Sequence, residues 1–132
     1  MADHTTSTRS DKGQGGFLAE VFSPSGDIQL DRFTQLLRVT KTDLAFSIGL
    51  SREAISKSAR FNAPATQARL RETAEILNRI LPWCGSVPQA FSWFRSQPIP
   101  AFGGITSEDL VRSGRIADLK DYLAGLAAGG FA

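Results

Sequence analysis

Residues 41–60, KTDLAFSIGLSREAISKSAR, contain the spacing that decides how this chain folds. Counted from Lys41, the fifth, ninth and fifteenth positions are Ala45, Gly49 and Ile55. A helix-turn-helix restricts these three positions. The helices cross at a small side chain, the turn favours a positive φ that glycine adopts without strain, and a branched apolar group fills the space between the helices. The stretch therefore predicts a helix-turn-helix.

Apolar side chains recur at three- and four-residue steps through most of the remaining chain, which predicts helices over about residues 31–38, 66–81 and 116–127. Shorter helices are expected after hydroxyl residues that suit an N-cap, namely Thr40, Ser51, Ser86 and Thr106. Five charged residues of the 66–81 helix are expected to face water: Arg69, Arg71, Glu72, Glu75 and Arg79. Pro98 and Pro100 predict an extended segment that Gly103 and Gly104 end. Because no alternating strand pattern of useful length occurs, the predicted fold class is all-α.

The composition changes along the chain predict three parts. Residues 1–29 are expected to form a flexible tail and a short leader, in which residues 17–22 make a helical turn that packs on the body. A helix-turn-helix domain is predicted over 30–82 and a second small helical domain over 83–132. The N-terminus has no apolar signal region and no stretch is long and apolar enough for a membrane helix, so we expect a cytoplasmic protein with no membrane partner.

An enzymatic role is not expected. The chain has one cysteine, Cys84, and one histidine, His4, which lies in the polar tail. A nucleophilic triad needs a positioned imidazole, and a zinc site needs several Cys or His ligands. Cys84 is expected to be a small buried side chain. We therefore expect no catalytic residues, no metal and no cofactor.

Charge is distributed unevenly, although the net charge is only +2. Residues 38–60 hold five basic and two acidic residues, whereas four of each follow residue 82. The residues expected to bind DNA are therefore Lys41, Ser51, Arg52, Ser56, Lys57 and Arg60. Arg52 is expected to form a pair of hydrogen bonds with a guanine base, while Lys57 and Arg60 are expected to contact phosphates. Dimerisation is expected because a single copy would bind weakly. In the alternative interpretation the helix pair is only a packing unit and does not bind DNA, because Glu53 in the second helix would repel phosphate.

The last part of the chain contains several spaced features in order. They are the pair Trp93-Phe94, the prolines Pro98 and Pro100, the run Phe102-Gly103-Gly104, the acidic turn after Thr106, the run Arg112-Ser113-Gly114, the leucines Leu119 and Leu123, and the terminal Gly129 and Phe131. Residues 90–132 thereby resemble the toxin-binding domain of the Xre/MbcA/ParS-type antitoxins, and the helical half before them fits the layout of that family. The chain departs from the family at Ser107, where proline is usual, and at Ile105, where a polar residue is common.

The resemblance implies an antitoxin of a type II toxin–antitoxin system. Such antitoxins neutralise RES-domain toxins, which use NAD as an ADP-ribose donor or degrade it, and the antitoxin's C-terminal end blocks the NAD cleft. The toxin-binding residues implied here are Arg112, Arg115, Gly129, Gly130, Phe131 and Ala132. The arginines would pair with acidic toxin groups, Phe131 would be an aromatic anchor, and the Ala132 carboxylate would meet arginines. By spacing alone, Phe131 would more often fold back into the core.

The expected partners are therefore a RES-domain toxin and operator DNA, with assembly as a homodimer or as a hetero-oligomer with the toxin. One alternative is a stand-alone helix-turn-helix repressor that has no toxin partner. Another is an inhibitor that binds only protein and uses the helix-turn-helix to dimerise.

Overall fold

The structure is a computed structural model that describes residues 15–56 and 61–129. Over these ranges the regular elements are helices, which confirms the predicted all-α class. The described chain forms eight α-helices and one short 3₁₀ helix: α1 (Gly15–Val21), α2 (Leu30–Leu37), α3 (Lys41–Ser47), α4 (Arg52–Ser56), α5 (Pro64–Cys84), α6 (Val87–Ser96), the 3₁₀ helix (Pro100–Phe102), α7 (Ser107–Arg112) and α8 (Ile116–Gly129). No helix of the described ranges is both long enough and apolar enough to span a bilayer.

Hydroxyl side chains fix where four of these helices begin. Each accepts a hydrogen bond from the backbone N–H three residues later, at 3.0 Å for Thr40, 3.0 Å for Ser51, 3.3 Å for Ser86 and 3.1 Å for Thr106. A helix start leaves its first N–H groups without internal partners, and each cap satisfies one of them. The four predicted caps are therefore confirmed.

The long helix α5 is the centre of the core. Its buried side chains include Leu70, Ile76, Leu77 and Ile80, and α1, α6 and α8 all pack against it. In addition α2 packs on α6, and α3 packs on α7. The core is thus continuous across the described chain, and the predicted boundary between residues 82 and 83 falls within α5.

The leader of the chain belongs to this core. Phe17, Val21 and Ile28 are buried, and the Ile28 amide donates a 2.8 Å hydrogen bond to Oε1 of Gln67 on α5. The predicted helical turn over residues 17–22 is therefore confirmed and extends back to Gly15. Residues 1–14 of the predicted flexible tail lie outside the described residues.

The extended segment predicted from Pro98 to Gly104 is confirmed only at its start, where Ile99 is extended, and is wrong from Pro100 onward. Pro100 begins the 3₁₀ helix, and the N–H of Ile99 donates to the carbonyl of Ile105 at 2.9 Å, which closes a tight loop. The two prolines still exclude an α-helix, but the buried side chain of Ile99 draws the loop onto the core. Nothing in the local proline and glycine spacing indicates that burial.

Candidate functional site

Helices α3 and α4 form a compact pair joined by a tight turn over residues 48–51. Ala45 and Ile55 are buried between the elements, and Gly49 has a φ of +74°, which a residue with a side chain rarely adopts. The N–H of Leu50 donates to the carbonyl of Ala45 at 2.9 Å and closes the end of α3. The three positions singled out from the sequence therefore have the burial and backbone geometry that a close helix pair requires.

Residues at the start of α4 are available to a ligand. Ser51 and Arg52 are both exposed, and so is Glu53. Lys41, at the start of α3, is exposed and its Nζ lies 2.9 Å from Oδ1 of Asp31. An exposed ion pair of this kind contributes little to stability, so a phosphate can compete for the lysine.

The remaining residues predicted to bind DNA are only partly described. Ser56 is the last residue of α4, and its side chain is outside the described part of the chain. Lys57 and Arg60 also lie outside the described residues. The structure thus brings Ser51 and Arg52 together at one helix start and leaves their relation to Lys57 and Arg60 a prediction.

Two arginines from distant helices contact the turn between α3 and α4. Nη1 of Arg69, on α5, donates to the carbonyl of Ile48 at 2.5 Å and to that of Val111 at 3.4 Å. Nη1 of Arg112, at the end of α7, donates to the carbonyl of Phe46, and its guanidinium carbon lies 3.9 Å from the centre of the Phe46 ring. The prediction that Arg69 faces water is therefore wrong, because its side chain is half-buried against backbone carbonyls.

Aromatic residues organise the segment from α6 to α8. Phe91 and Phe94 are buried and stack with ring centres 5.8 Å apart, while Trp93 is half-buried. The ring of Phe102 meets Tyr122 edge-on at 5.6 Å and is half-buried. Phe91 and Phe94 are therefore part of the core, while Trp93 and Phe102 lie at its edge.

The residues predicted to bind a toxin fall into two places. Arg112 and Arg115 are exposed on either side of the turn between α7 and α8, where Nε of Arg115 lies 2.9 Å from Oδ2 of Asp118. Gly129 is exposed at the opposite end of α8, a helix about 20 Å long. Gly130, Phe131 and Ala132 lie outside the described residues. The structure therefore separates the two arginines from Gly129 by the length of a helix.

A groove of about 680 Å³ lies between α1, α5 and α8 and was not predicted. Its apolar lining includes Leu18, Trp83 and Leu126, and Trp83 is 36% exposed. Three charged residues line it too: Glu75, Arg79 and Lys120. The periodicity of α5 and α8 places apolar residues on the facing sides of these helices, but it does not reveal that the sides leave a gap.

The cysteine Cys84 is half-buried at the end of α5. Burial raises the pKa of the Cys84 thiol above its ordinary value, and a protonated thiol is a poor nucleophile. Among the described residues no group of three or more His, Cys, Asp or Glu lies close enough to hold a metal ion. Comparisons with protein-family models, with curated proteins and with solved structures found no match for this chain.

Proposed function

We propose that this chain is an antitoxin that binds and inhibits an NAD-using toxin of the RES-domain type and also binds operator DNA through α3 and α4. The exposed start of α4 in a close helix pair is the observation that carries the DNA-binding part. The inhibitory part rests on the resemblance of residues 90–132 to antitoxins. In this proposal the chain forms complexes in the cytoplasm and catalyses nothing.

The DNA-binding part is supported by the orientation of Ser51 and Arg52. In a helix-turn-helix the second helix enters the major groove with its N-terminal residues first. Arg52 is exposed at that end of α4 and has the planar fork of donors that pairs with guanine. The exposed Glu53 beside it disfavours phosphate contact at the start of α4, so in this proposal the phosphate contacts are made by Lys41, Lys57 and Arg60, and a second copy adds affinity.

The inhibitory part is supported by the helical unit from α6 to α8. The residues that carry the resemblance take local structural roles in it: Thr106 caps α7, Phe102 packs on Tyr122, and Leu119 and Leu123 are buried. Helix α8 runs to Gly129, and its last residues, from 127 to 129, are exposed. Residues 130–132 thus follow directly from an exposed helix end, as a segment that enters another protein's cleft must.

The inhibitory part is tested by co-expressing the chain with the product of the adjacent gene and measuring NAD consumption in the purified complex. Deleting residues 129–132, or the single change Phe131→Ala, should restore NAD consumption while much of the complex persists. Asp121→Ala changes an exposed residue of α8 and serves as the control that keeps inhibition. Full inhibition after the deletion, or no complex with the unaltered chain, contradicts this part of the proposal.

The DNA-binding part is tested separately with a labelled duplex from upstream of the gene. Arg52→Ala should weaken binding by about 1 to 3 kcal/mol, the usual contribution of one base-reading side chain. Arg79→Ala removes an exposed arginine of α5 that lines the groove against α1 and α8, and it is the matched control. Equal affinities for the two variants would contradict a base-reading role for α4.

A stand-alone repressor is the second candidate, because the exposed start of α4 supports DNA binding independently of the resemblance to antitoxins. It predicts tight operator binding by the purified chain alone and no stable complex with the neighbouring gene product. The same two assays therefore separate the candidates: an antitoxin inhibits NAD consumption, and a stand-alone repressor does not.

A further inference from the structure

We infer that Arg69 and Arg112 are positioning residues that hold the turn between α3 and α4 and thereby fix the direction of α4. Their link to DNA recognition rests on the proposed function, in which α4 reads bases. The holding of the turn itself does not depend on that function, and the experiment below measures the two separately.

The first step concerns the carbonyl groups at the end of α3. The last carbonyls of a helix have no partner within the helix, and cations near that end are favourable because they satisfy the carbonyls and oppose the negative end of the helix dipole. The carbonyl of Ile48 accepts a hydrogen bond from the guanidinium group of Arg69. The carbonyl of Phe46 already accepts the N–H of Gly49 at 3.3 Å and accepts a second hydrogen bond from the guanidinium group of Arg112. Two charged donors from outside α3 therefore complete its C-terminal end.

The second step concerns the route of these contacts. Arg69 comes from α5 and Arg112 from α7, so both originate beyond the helix pair. Nη1 of Arg69 also reaches the carbonyl of Val111, on α7, at 3.4 Å, which ties α7 to the same turn. The guanidinium of Arg112 lies over the Phe46 ring at 3.9 Å, close enough for a cation–π contact. The side chain of Arg112 is thus held by both the ring and the backbone carbonyl of Phe46.

The third step concerns Gly49, which lies in the turn between these contacts. A Cβ on Gly49 would come within 3.2 Å of Nη1 of Arg69 and 3.3 Å of Cα of Arg112. The turn is therefore packed against both arginines as well as bonded to them. Backbone of α7 occupies the space that a side chain at this position would need.

The last step concerns α4 itself. Its described part is five residues long, and Ile55 is its only fully buried apolar residue among them. Most of the stability of a helix in a protein comes from tertiary contacts, and the start of α4 takes its direction from the turn before it. Because the described residues 52–56 include one buried apolar side chain, that of Ile55, we expect the turn held by Arg69 and Arg112 to contribute to the direction in which Arg52 points.

The inference is tested on the full chain with Arg112→Ala, Arg112→Lys and the control Arg79→Ala. Amide hydrogen exchange is followed over residues 48–55 and over α8, and affinity for the upstream duplex is measured across salt concentrations. Arg112→Ala should speed exchange in the turn while α8 stays unchanged, and it should weaken DNA binding about tenfold, as expected if only about a tenth of the molecules then keep α4 in the binding direction. Lysine keeps a donor but not the planar stack, so Arg112→Lys should recover part of both effects.

The salt dependence separates positioning from direct contact. A positioning residue adds no phosphate contact, so the slope of log affinity against log salt should be the same in Arg112→Ala as in the unaltered chain. A slope smaller by about one means that Arg112 itself touches phosphate and overturns the inference. Unchanged exchange in the turn overturns it as well. Absence of DNA binding by the unaltered chain contradicts the DNA-binding part of the proposed function, and the exchange measurement still decides whether the arginine holds the turn.

Discussion

Gly49 lies against the backbone of Arg112, with space of only 3.3 Å between a Cβ built on the glycine and Cα of the arginine. The glycine has a φ of +74°, so an alanine there is strained, and its Cβ is crowded by a backbone atom that would have to move by a few tenths of an ångström. We expect Gly49→Ala to lower the free energy of unfolding by about 2 kcal/mol or more, measured by urea denaturation.

Gly26 provides the matched control for that substitution. Its φ is +93°, but nothing lies within 4 Å of a Cβ built on it. Gly26→Ala should therefore show only the conformational cost, about 1 kcal/mol. Equal losses for the two variants would mean that the contact with Arg112 contributes nothing.

The N-cap of α7 is the next target. The side chain of Thr106 accepts the N–H of Asp109 at 3.1 Å and thereby caps the start of α7. Thr106→Ala should reduce the free energy of unfolding by about 1 kcal/mol. Thr106→Ser retains the hydroxyl and should restore most of the stability, so a serine variant as unstable as the alanine variant would contradict the capping role.

Ser107 is a case in which removing a polar atom should help. Its side chain is fully buried, and its hydroxyl has no hydrogen-bond partner among the described residues. Because a buried hydroxyl without a partner is unfavourable, Ser107→Ala should leave stability unchanged or raise it by up to about 1 kcal/mol. Ser113→Ala removes a hydroxyl that donates to the carbonyl of Asp109 at 2.8 Å, and it should not raise thermal stability.

Cys84 should react slowly with alkylating reagents. The thiolate is the reactive form, and burial raises the pKa of this thiol, so the thiolate fraction at any given pH is smaller than that of a free cysteine. The rate of alkylation by iodoacetamide should therefore lie below that of a cysteine peptide near pH 8 and should rise at higher pH. Unfolding in guanidinium chloride should remove the difference, and a folded protein that reacts as fast as the peptide would contradict the prediction.

Local signals in the sequence were sufficient for most of the secondary structure. A cap depends on a hydroxyl and an N–H three residues apart, so Thr40, Ser51, Ser86 and Thr106 could be identified without knowing the rest of the fold. The requirements at Ala45, Gly49 and Ile55 are local in the same sense, because they depend on the geometry of the single turn between α3 and α4.

Contacts between distant segments could not be predicted in this way. Helical periodicity places Arg69 on the polar side of α5, but it cannot show that two carbonyls from other elements lie within reach of that side chain. Ile99 is similar, because its burial follows from the closure of the loop by Ile105. The arginine contacts at the turn, which support the positioning inference, belong to this second class.

The central helix α5 has a practical consequence for anyone who divides this protein. Helix α5 spans residues 64–84. It contacts α1, which lies near the N-terminus of the chain, and α8, which lies near the C-terminus. Cutting the gene at residue 82 would yield two fragments that each expose side chains now hidden in the shared interior. We expect both fragments to aggregate when expressed separately and to gain solubility when they are produced together in one cell.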